Sequence, residues 1–314
     1  MLPTMGVRPS GKSFLVTFEV TRQGIQLGFL NIAWYGVMTL AGCFAGALLA
    51  HYEMKRRGQD TAHVWNILAL GVILGLIGAR AYHVIDLWNE FYAQNPGEII
   101  AIWHGGQGIY GALIGALLAL FIYTKWQKLD LAMYADVGVI GFLLGQAVGR
   151  WGNFFNQELY GPPTDLPWGI PIDFEHRVPQ YNSYTHFHPL FLYESLLSLL
   201  GVATLLWISR RLKWWLKPGD IAIMYGIWYP TERFLLEFLR IDPWKLAGIA
   251  TAQWISGAIV LGCAFALWWR HRKRTRGLPT VQVAGNSRTE SSDEDPGEGP
   301  GMPPSDETTG RTPA

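Results

Sequence analysis

The chain has 314 residues, of which 50% are hydrophobic and only 16% are charged, and its formal net charge is +1. This balance excludes an ordinary water-soluble domain and a disordered chain, and it favours a membrane protein. A net charge so close to zero gives no indication of nucleic-acid binding, and we expect none. The two cysteines, both in hydrophobic stretches, are too few for a disulfide framework or a cysteine-rich metal site.

Seven stretches of the chain are long and apolar enough to cross a bilayer, which takes roughly 20 residues per helix. In chain order their predicted limits are 29 to 50, 64 to 88, 99 to 123, 131 to 149, 189 to 208, 219 to 239 and 249 to 269. The third starts weakly, because glycines and polar residues at 103 to 108 interrupt it, and this pattern indicates a re-entrant or broken start. The sequence therefore predicts an all-α integral membrane protein with seven transmembrane helices.

Lysine and arginine are unevenly distributed between the connections on the two sides of these helices. The connections on one side carry 14 such residues, and those on the other side carry 7. Because the richer side faces the cytoplasm, we expect the N-terminus outside and the C-terminus inside.

Three regions follow from these limits. The first is an outer-side N-terminal arm at 1 to 28. The second is the seven-span membrane domain at 29 to 270, with an outer-side head segment formed by the loop at 150 to 188. The third, at 271 to 314, is a basic stop followed by a tail rich in Ser, Pro, Gly and acidic residues, which predicts a disordered cytoplasmic segment.

Ionisable side chains cost several kcal/mol at membrane depth, so each one needs an explanation. Most of those in this chain are predicted near the outer ends of the helices. They are Arg80, His83, Asp136, Arg150, Glu158, His188, Glu194, Arg233, Glu237 and Arg240. For any single residue, snorkelling to the interface or a satisfied helix pair is an alternative to a functional role.

A compact polar run from Gly149 to Gly161 directly follows the fourth stretch. It contains the cation Arg150, the carboxamides Asn153 and Asn156 and the carboxylate Glu158, set among three glycines and four aromatic residues. Glycine permits close backbone approach, and a carboxamide both donates and accepts hydrogen bonds without charge. We expect this run to hold an anionic head group.

A second polar group falls on one face of the predicted sixth helix, because its members are spaced 4, 4 and 3 residues apart. The members are Tyr229, Arg233, Glu237 and Arg240. An intrahelical network that merely neutralises itself is the alternative. Guanidinium groups match phosphate oxygens in pairs, so the arginines of both groups favour a membrane phosphate, and a phospholipid head group is the natural candidate.

The run Gly149-Arg150-x-Gly152-Asn153-Phe154-x-Asn156-x-Glu158-x-x-Gly161 closely resembles the signature of the prolipoprotein diacylglyceryl transferases. Further matching pieces occur in the order that the family has. They are Trp34-Tyr35-Gly36, Gly78-x-Arg80, Gly105-Gly106, Gly111, Leu113-Ile114-Gly115, His188-Pro189, Tyr193-Glu194 and Arg233-Phe234-x-x-Glu237-Phe238-x-Arg240. The resemblance covers about residues 31 to 270.

The resemblance implies a multi-pass protein of the bacterial inner membrane, with its active site toward the outer leaflet of the bilayer. Such enzymes transfer the diacylglyceryl group of phosphatidylglycerol to the thiol of the lipobox cysteine in a prolipoprotein signal peptide. The reaction forms a thioether, releases glycerol phosphate and is the first step of lipoprotein maturation. Neither a cofactor nor a metal is expected.

Matching the family's motifs residue by residue implies three sets of site residues. The catalytic set is Arg233, Glu237, Tyr110 and Tyr35. The phosphatidylglycerol-binding set is Arg150, Asn153, Asn156, Glu158, Gly161, Arg80, Tyr229 and Arg240. The positioning set is Asp136, His188, Tyr193 and Glu194.

One departure from the family pattern bears on the thiol proton. Many members carry a histidine, a favoured candidate for the base, where this chain has Tyr110. A phenol is a poor base at neutral pH, so we interpret Tyr110 as a donor or positioning hydroxyl. His104 does not match that position, and the proton acceptor stays open. Pro230 and Thr231 also depart from the small residues often found there, and a kink at Pro230 would move Arg233.

Three other functions are compatible with parts of this pattern. A transporter also uses broken helices and buried charge pairs, but it places its site near the midplane and often shows repeats, which we do not find. A lipid-binding scaffold would keep Arg150 and its aromatic neighbours without needing the second polar group. An intramembrane protease would need a nucleophile paired with a base, and the sequence offers no such pair.

Overall fold

A computed structural model of the chain describes residues 18–22, 24–27, 30–102, 105–106, 108–241 and 243–272. Its α-helices are α1 (Trp34–Arg56), α2 (Ala62–Asp86), α3 (Ile109–Trp126), α4 (Leu131–Asn156), α5 (Leu190–Arg211), α6 (Asp220–Leu236) and α7 (Thr251–His271). Within these described ranges, six helices are long and apolar enough to cross a membrane, by length and composition. The exception is α6, which has 17 residues. The prediction of a mostly helical integral membrane protein is confirmed in this form.

Short elements connect the helices. Strands β1 (Phe18–Val20), β2 (Gly24–Leu27) and β3 (Leu30–Ala33) form an antiparallel sheet that leads directly into α1. Two-stranded pairs are formed by β4 (Ile170–Pro171) with β5 (His186–Phe187) and by β6 (Lys245–Leu246) with β7 (Ile249–Ala250). Single helical turns lie at Trp88–Tyr92, Pro96–Ile100, Phe174–His176, Pro179–Tyr181 and Glu237–Leu239. Most of the predicted N-terminal arm and almost all of the predicted tail lie outside the described residues.

Three helices differ clearly from their predicted limits. The first begins at Trp34 and not at 29, because β3 precedes it, and it continues past 50 to Arg56. The third begins at Ile109 and not at 99, because the turn at Pro96–Ile100 and the glycines after it precede the regular helix; Trp103, His104 and Gln107 of the predicted broken start lie outside the described residues. The fourth continues past 149 to Asn156. Hydropathy ended that prediction too early, since Arg150, Asn153 and Asn156 make the last two turns of α4 more polar.

Glycines let α1 and α4 touch backbone to backbone. A Cβ atom on Gly42 would lie 2.6 Å from the carbonyl oxygen of Gly145, and one on Gly141 would lie 2.5 Å from the carbonyl oxygen of Gly46. Without side chains at these positions, two membrane helices approach closely enough for extensive van der Waals contact. This contact holds the end of α4 beside the start of α1.

Buried carboxylates join several helices at the end of the bundle that we call the basic end. Asp136 of α4 accepts hydrogen bonds from the backbone N–H groups of Gly219 (2.8 Å) and Ala222 (2.9 Å) and so caps α6. The Glu53 carboxylate of α1 pairs with Arg210 of α5. Asp220 of α6 pairs with Arg270 at the end of α7, at 2.9 Å.

The basic end therefore gathers the last turns of α1, α5 and α7 and the first turns of α4 and α6. Four basic residues that contribute to the predicted cytoplasmic excess lie in those last turns, namely Lys55, Arg56, Arg210 and Arg211. The end of α4, the start of α5 and the end of α6 lie at the opposite end of the bundle.

We predict that Gly141→Ala lowers the melting temperature in detergent, because the new methyl group meets the Gly46 carbonyl and separates α1 from α4 at a cost of about 1–3 kcal/mol. The matched control is Gly138→Ala on the same helix, where a Cβ atom meets nothing within 4 Å. The control is expected to be neutral or slightly stabilising, since alanine is the better helix former. Equal melting temperatures for the two variants would contradict the close packing.

Candidate functional site

A buried ion pair joins α4 to α5. Arg150 lies on the polar last turns of α4, and its guanidinium pairs with the carboxylate of Glu194, which is 1% exposed. The hydroxyl of Ser195 donates to the carbonyl of Ala147 at 2.8 Å and fastens the same two helices. The pair gives this deeply buried carboxylate a charged partner, and Glu194 thereby holds Arg150 in position.

Arg150 keeps one donor for a ligand. Its Nε–H is buried and has no hydrogen-bond partner among the residues that the structure describes. Leaving a guanidinium N–H unpaired in a buried position is unfavourable. An anionic oxygen arriving beside α4 would satisfy it, and the guanidinium geometry suits a phosphate.

The chain folds back on α4 directly after its last turn. Gln157 and Leu159 both have positive φ, 53° and 56°, which is uncommon for residues other than glycine. This turn brings Glu158 under the helix end, where its carboxylate accepts hydrogen bonds from the side-chain amides of Asn153 (2.7 Å) and Asn156 (3.3 Å). Glu158 thereby orients both carboxamides.

Gly161 closes this turn against two other elements. Its N–H donates to the carbonyl of His188 at 2.8 Å. A Cβ atom on Gly161 would lie 2.5 Å from a methyl carbon of Leu190 and 2.9 Å from the carbonyl oxygen of Leu239. The glycine is therefore required for close packing, and it sets the position of the loop against α5 and the end of α6.

A cleft of about 400 Å³ opens between the end of α4 and the end of α6, and we call it the α4–α6 cleft. Its lining includes Asn156, Glu158, Tyr160, His176 and Arg240. Residues from both predicted polar groups thus meet at one opening, although 82 positions separate Glu158 from Arg240 in the chain.

Arg240 reaches the cleft from the end of α6. The buried carboxylate of Glu237 pairs with Arg233 at 3.0 Å and with Arg240 at 3.6 Å. This is the intrahelical ion-pair network that the sequence offered as an alternative to a binding site. It leaves Arg240 accessible, because the side chain of Arg240 remains 45% exposed. Tyr229, one turn earlier, stacks on Tyr225 with ring centroids 5.9 Å apart.

Arg80 has a different environment from the one predicted. It is buried, and its guanidinium donates to the backbone carbonyls of Glu98, Ile99, Ala101, Gly105 and Gly106. All five N–H groups of the side chain face carbonyl oxygens of the segment between α2 and α3. These contacts hold the segment in place, and the role of Arg80 in lipid binding stays a prediction.

The two predicted catalytic tyrosines lie in different surroundings. Tyr35, in the first turn of α1, packs against Gly152 of α4, where a Cβ atom would come within 2.9 Å of its ring. Tyr110, in the first turn of α3, is 65% exposed, and its ring lies 5.7 Å from that of Tyr82. The described lining of the α4–α6 cleft does not include Tyr110.

The predicted positioning residues fall at opposite ends of the bundle. Asp136 caps α6 at the basic end. His188 and Tyr193 lie near Glu194 at the start of α5, with Nδ1 of His188 3.1 Å from the hydroxyl of Tyr193. That hydroxyl also accepts from Trp168 at 2.8 Å, which attaches the connection between α4 and α5 to the helix.

Two features of the site were not predicted from the sequence. Gln157, buried at the end of α4, exchanges two hydrogen bonds of 2.7 Å with Asp173. Glu232, also buried, accepts from the hydroxyl of Ser198 at 3.0 Å. Glu232 could have been found from the sequence, because it is a carboxylate on an apolar helix, next to Arg233. Nothing in the sequence indicates that Gln157 pairs with Asp173.

The model of the family described as prolipoprotein diacylglyceryl transferase matches residues 23–269. Curated relatives bear the name phosphatidylglycerol–prolipoprotein diacylglyceryl transferase. The chain is 42% identical to that of Chloroflexus aggregans over 304 residues, covering 90% of this chain and 98% of the relative. For Gloeobacter violaceus the identity is 40%, with 80% and 93% covered. For Synechococcus elongatus it is 38%, with 88% and 98% covered.

We predict that Arg80→Lys increases amide hydrogen exchange in residues 98 to 106 by about tenfold or more, because a lysine cannot bond all five carbonyls. The control is Arg177→Lys, since Arg177 likewise donates to two backbone carbonyls, at Ile172 (2.8 Å) and Asn182 (3.0 Å), but in another loop. Unchanged exchange at 98 to 106, together with weaker phospholipid binding, would show that Arg80 acts in lipid binding and does not hold this segment.

Proposed function

The chain belongs to the prolipoprotein diacylglyceryl transferase family, and on that premise we propose that it transfers the diacylglyceryl group of phosphatidylglycerol to the lipobox cysteine of prolipoproteins. The transporter, scaffold and protease interpretations give way, because the relatives are named as transferases. The observation behind the site assignment is that Asn156 and Glu158, from the turn that follows Arg150, line one cleft together with Arg240.

The phosphate of the lipid is bound by the end of α4. Arg150 supplies the charge and the unpaired Nε–H, and the carboxamides of Asn153 and Asn156 supply donors that Glu158 has already oriented. Arg240 supplies a second cation from the lining of the α4–α6 cleft, which Asn156 and Glu158 share. Charge-assisted hydrogen bonds of this kind are roughly twice as strong as those between neutral groups.

Glu158 itself is suited to the glycerol of the head group. A carboxylate accepts hydrogen bonds, and the glycerol hydroxyls of phosphatidylglycerol are donors. The same carboxylate would repel a head group that ends in a bare phosphate. Glu158 therefore favours phosphatidylglycerol over phosphatidic acid.

The reaction is a displacement at the glyceryl CH₂ carbon. The sulfur of the substrate cysteine forms the new bond to this carbon. The bond between the carbon and the oxygen that links it to phosphorus breaks, and its electron pair leaves on glycerol phosphate. The leaving phosphate changes from a diester with one negative charge to a monoester with more charge. Cations placed beside it in advance therefore stabilise the transition state more than the ground state. Arg150, Arg233 and Arg240 supply this stabilisation.

The proposal includes seven membrane spans, with the site at the outer leaflet of the bacterial inner membrane. The 17 residues of α6 rise about 25 Å, and the turn at Glu237–Leu239 adds about 6 Å, which together match a hydrocarbon core of about 30 Å. The basic end then faces the cytoplasm, in keeping with the uneven distribution of lysine and arginine.

We predict that the protein adds a diacylglyceryl mass to a lipobox-cysteine peptide in the presence of phosphatidylglycerol, with release of one glycerol phosphate per peptide. Arg150→Lys is expected to reduce kcat by about 100-fold or more, because a lysine cannot pair with Glu194 and hold the phosphate at once. The control is Arg211→Lys, an exposed arginine at the basic end. If Arg150→Lys keeps full activity, the lipid phosphate does not bind at the end of α4. If the wild type is inactive, the proposed transferase function is wrong.

Arg240→Ala is expected to raise the KM for phosphatidylglycerol by about tenfold or more, through loss of a charge-assisted bond to the lipid. The matched control is Lys245→Ala, which removes another exposed cation close in sequence but outside the cleft lining. Transfer rates measured over a range of lipid concentrations in mixed micelles give the KM of each variant. Equal KM values for the two variants would show that Arg240 does not contact the lipid.

A further inference from the structure

His176 lines the α4–α6 cleft together with some of the groups assigned to the lipid. It shares the lining with Asn156, Glu158 and Arg240, and it is the one histidine among the described lining residues. We propose that His176 accepts the proton of the substrate thiol, a role that rests on the proposed transferase function. Histidine is the side chain best suited to proton transfer near neutral pH.

The turn that carries His176 is clamped to the cleft wall by Tyr160. The Tyr160 hydroxyl donates to the carbonyl of His176 at 2.6 Å and accepts from the N–H of Val178 at 2.9 Å. The N–H of His176 donates to the carbonyl of Asp173 at 2.9 Å. Backbone on both sides of the imidazole is thus held, although the residue itself is exposed.

The same turn is fastened to the end of α4. Gln157, which ends the helix, exchanges its two hydrogen bonds with Asp173. Asp173 also forms an ion pair with Arg22 at 2.9 Å. A general base must be positioned before its pKa matters, and these contacts link the position of His176 to the helix that carries Arg150.

Other candidates for the base are less well placed. Tyr110 is at the start of α3 and outside the described cleft lining. His188 contacts the hydroxyl of Tyr193 and is likewise outside that lining. His83 lies on α2 in edge contact with Tyr92, beside the segment that Arg80 holds. None of these three shares an opening with Glu158 and Arg240 among the described residues.

The charged groups around His176 come from four elements. Glu158 and Arg240 face it in the α4–α6 cleft. A neighbouring cleft of about 310 Å³ adds Arg22, Asp173 and Glu175 on its other side. These are three carboxylates and two guanidiniums, and two of them, Asp173 and Arg22, pair with each other.

The proton balance of the step is complete. The S–H bond breaks and its proton moves to the imidazole, while the sulfur electrons form the carbon–sulfur bond. The electrons of the broken carbon–oxygen bond leave on glycerol phosphate, which departs with the additional negative charge. The imidazolium then returns its proton to glycerol phosphate or to water.

The test compares His176→Ala with His186→Ala. His186 is a second exposed histidine of the connection between α4 and α5; its ring contacts Thr185, and it lies outside the described linings of both clefts. Transfer is measured from pH 5.5 to 9 with a lipobox-cysteine peptide and with the same peptide carrying selenocysteine. A selenol is ionised at neutral pH without help, so it does not need a base.

We expect His176→Ala to lose about 100-fold or more of the transfer rate to cysteine at neutral pH. The rise of rate with pH should move to the range where the free thiol ionises. With selenocysteine the loss should be less than about tenfold, because binding and leaving-group stabilisation are intact. His186→Ala should match the wild type with both peptides.

Two results would overturn the assignment. If His176→Ala loses activity equally with cysteine and selenocysteine, or keeps the wild-type pH profile, His176 does not take the proton. If Tyr110→Phe instead shows the selective loss with cysteine, the base is Tyr110. If the wild type transfers to neither peptide, the proposed transferase function is wrong and this inference is wrong with it. If the wild type is active, the results for the variants test the role of His176 alone.

Discussion

The site depends on the burial of one carboxylate, that of Glu194, between α4 and α5. Pairing with this carboxylate holds Arg150 on the facing side of α4, and α4 remains helical beyond its apolar part to present it. The turn after α4 then brings Glu158 beneath Asn153. The groups proposed to bind the lipid are therefore already arranged in the protein alone, which is the condition for electrostatic stabilisation of a transition state.

The two ends of the bundle use buried acids differently. At the basic end, Asp136 caps α6, and Asp220 pairs with Arg270. These contacts join helices and leave the described carboxylates satisfied. At the opposite end, Glu194 and Glu237 each hold an arginine that still has a free donor or exposed surface. The same type of ion pair thus locks one end and prepares the other for an anion.

Much of this architecture was predictable from the sequence, and the limits of prediction have physical reasons. Apolar runs predicted each long helix, because lipid permits little else, and the polar run after Gly149 predicted the residues that surround the cleft. Hydropathy missed the last turns of α4, since they carry Arg150 and two asparagines. The backbone contacts of Arg80 were not foreseen, because an arginine bonds carbonyl oxygens as readily as phosphate. The position of His176 depends on the pairing of Gln157 with Asp173, which no local pattern encodes.

Binding of the lipid phosphate at Arg150 is best tested by a structure of the protein with phosphatidylglycerol bound. We expect phosphate oxygens within about 3.2 Å of the Arg150 guanidinium and of the Asn153 or Asn156 amide, with the head-group glycerol at Glu158. A phosphate bound at Arg80, or at the basic end beside Arg210, with the Arg150 Nε–H still unpaired, would contradict it.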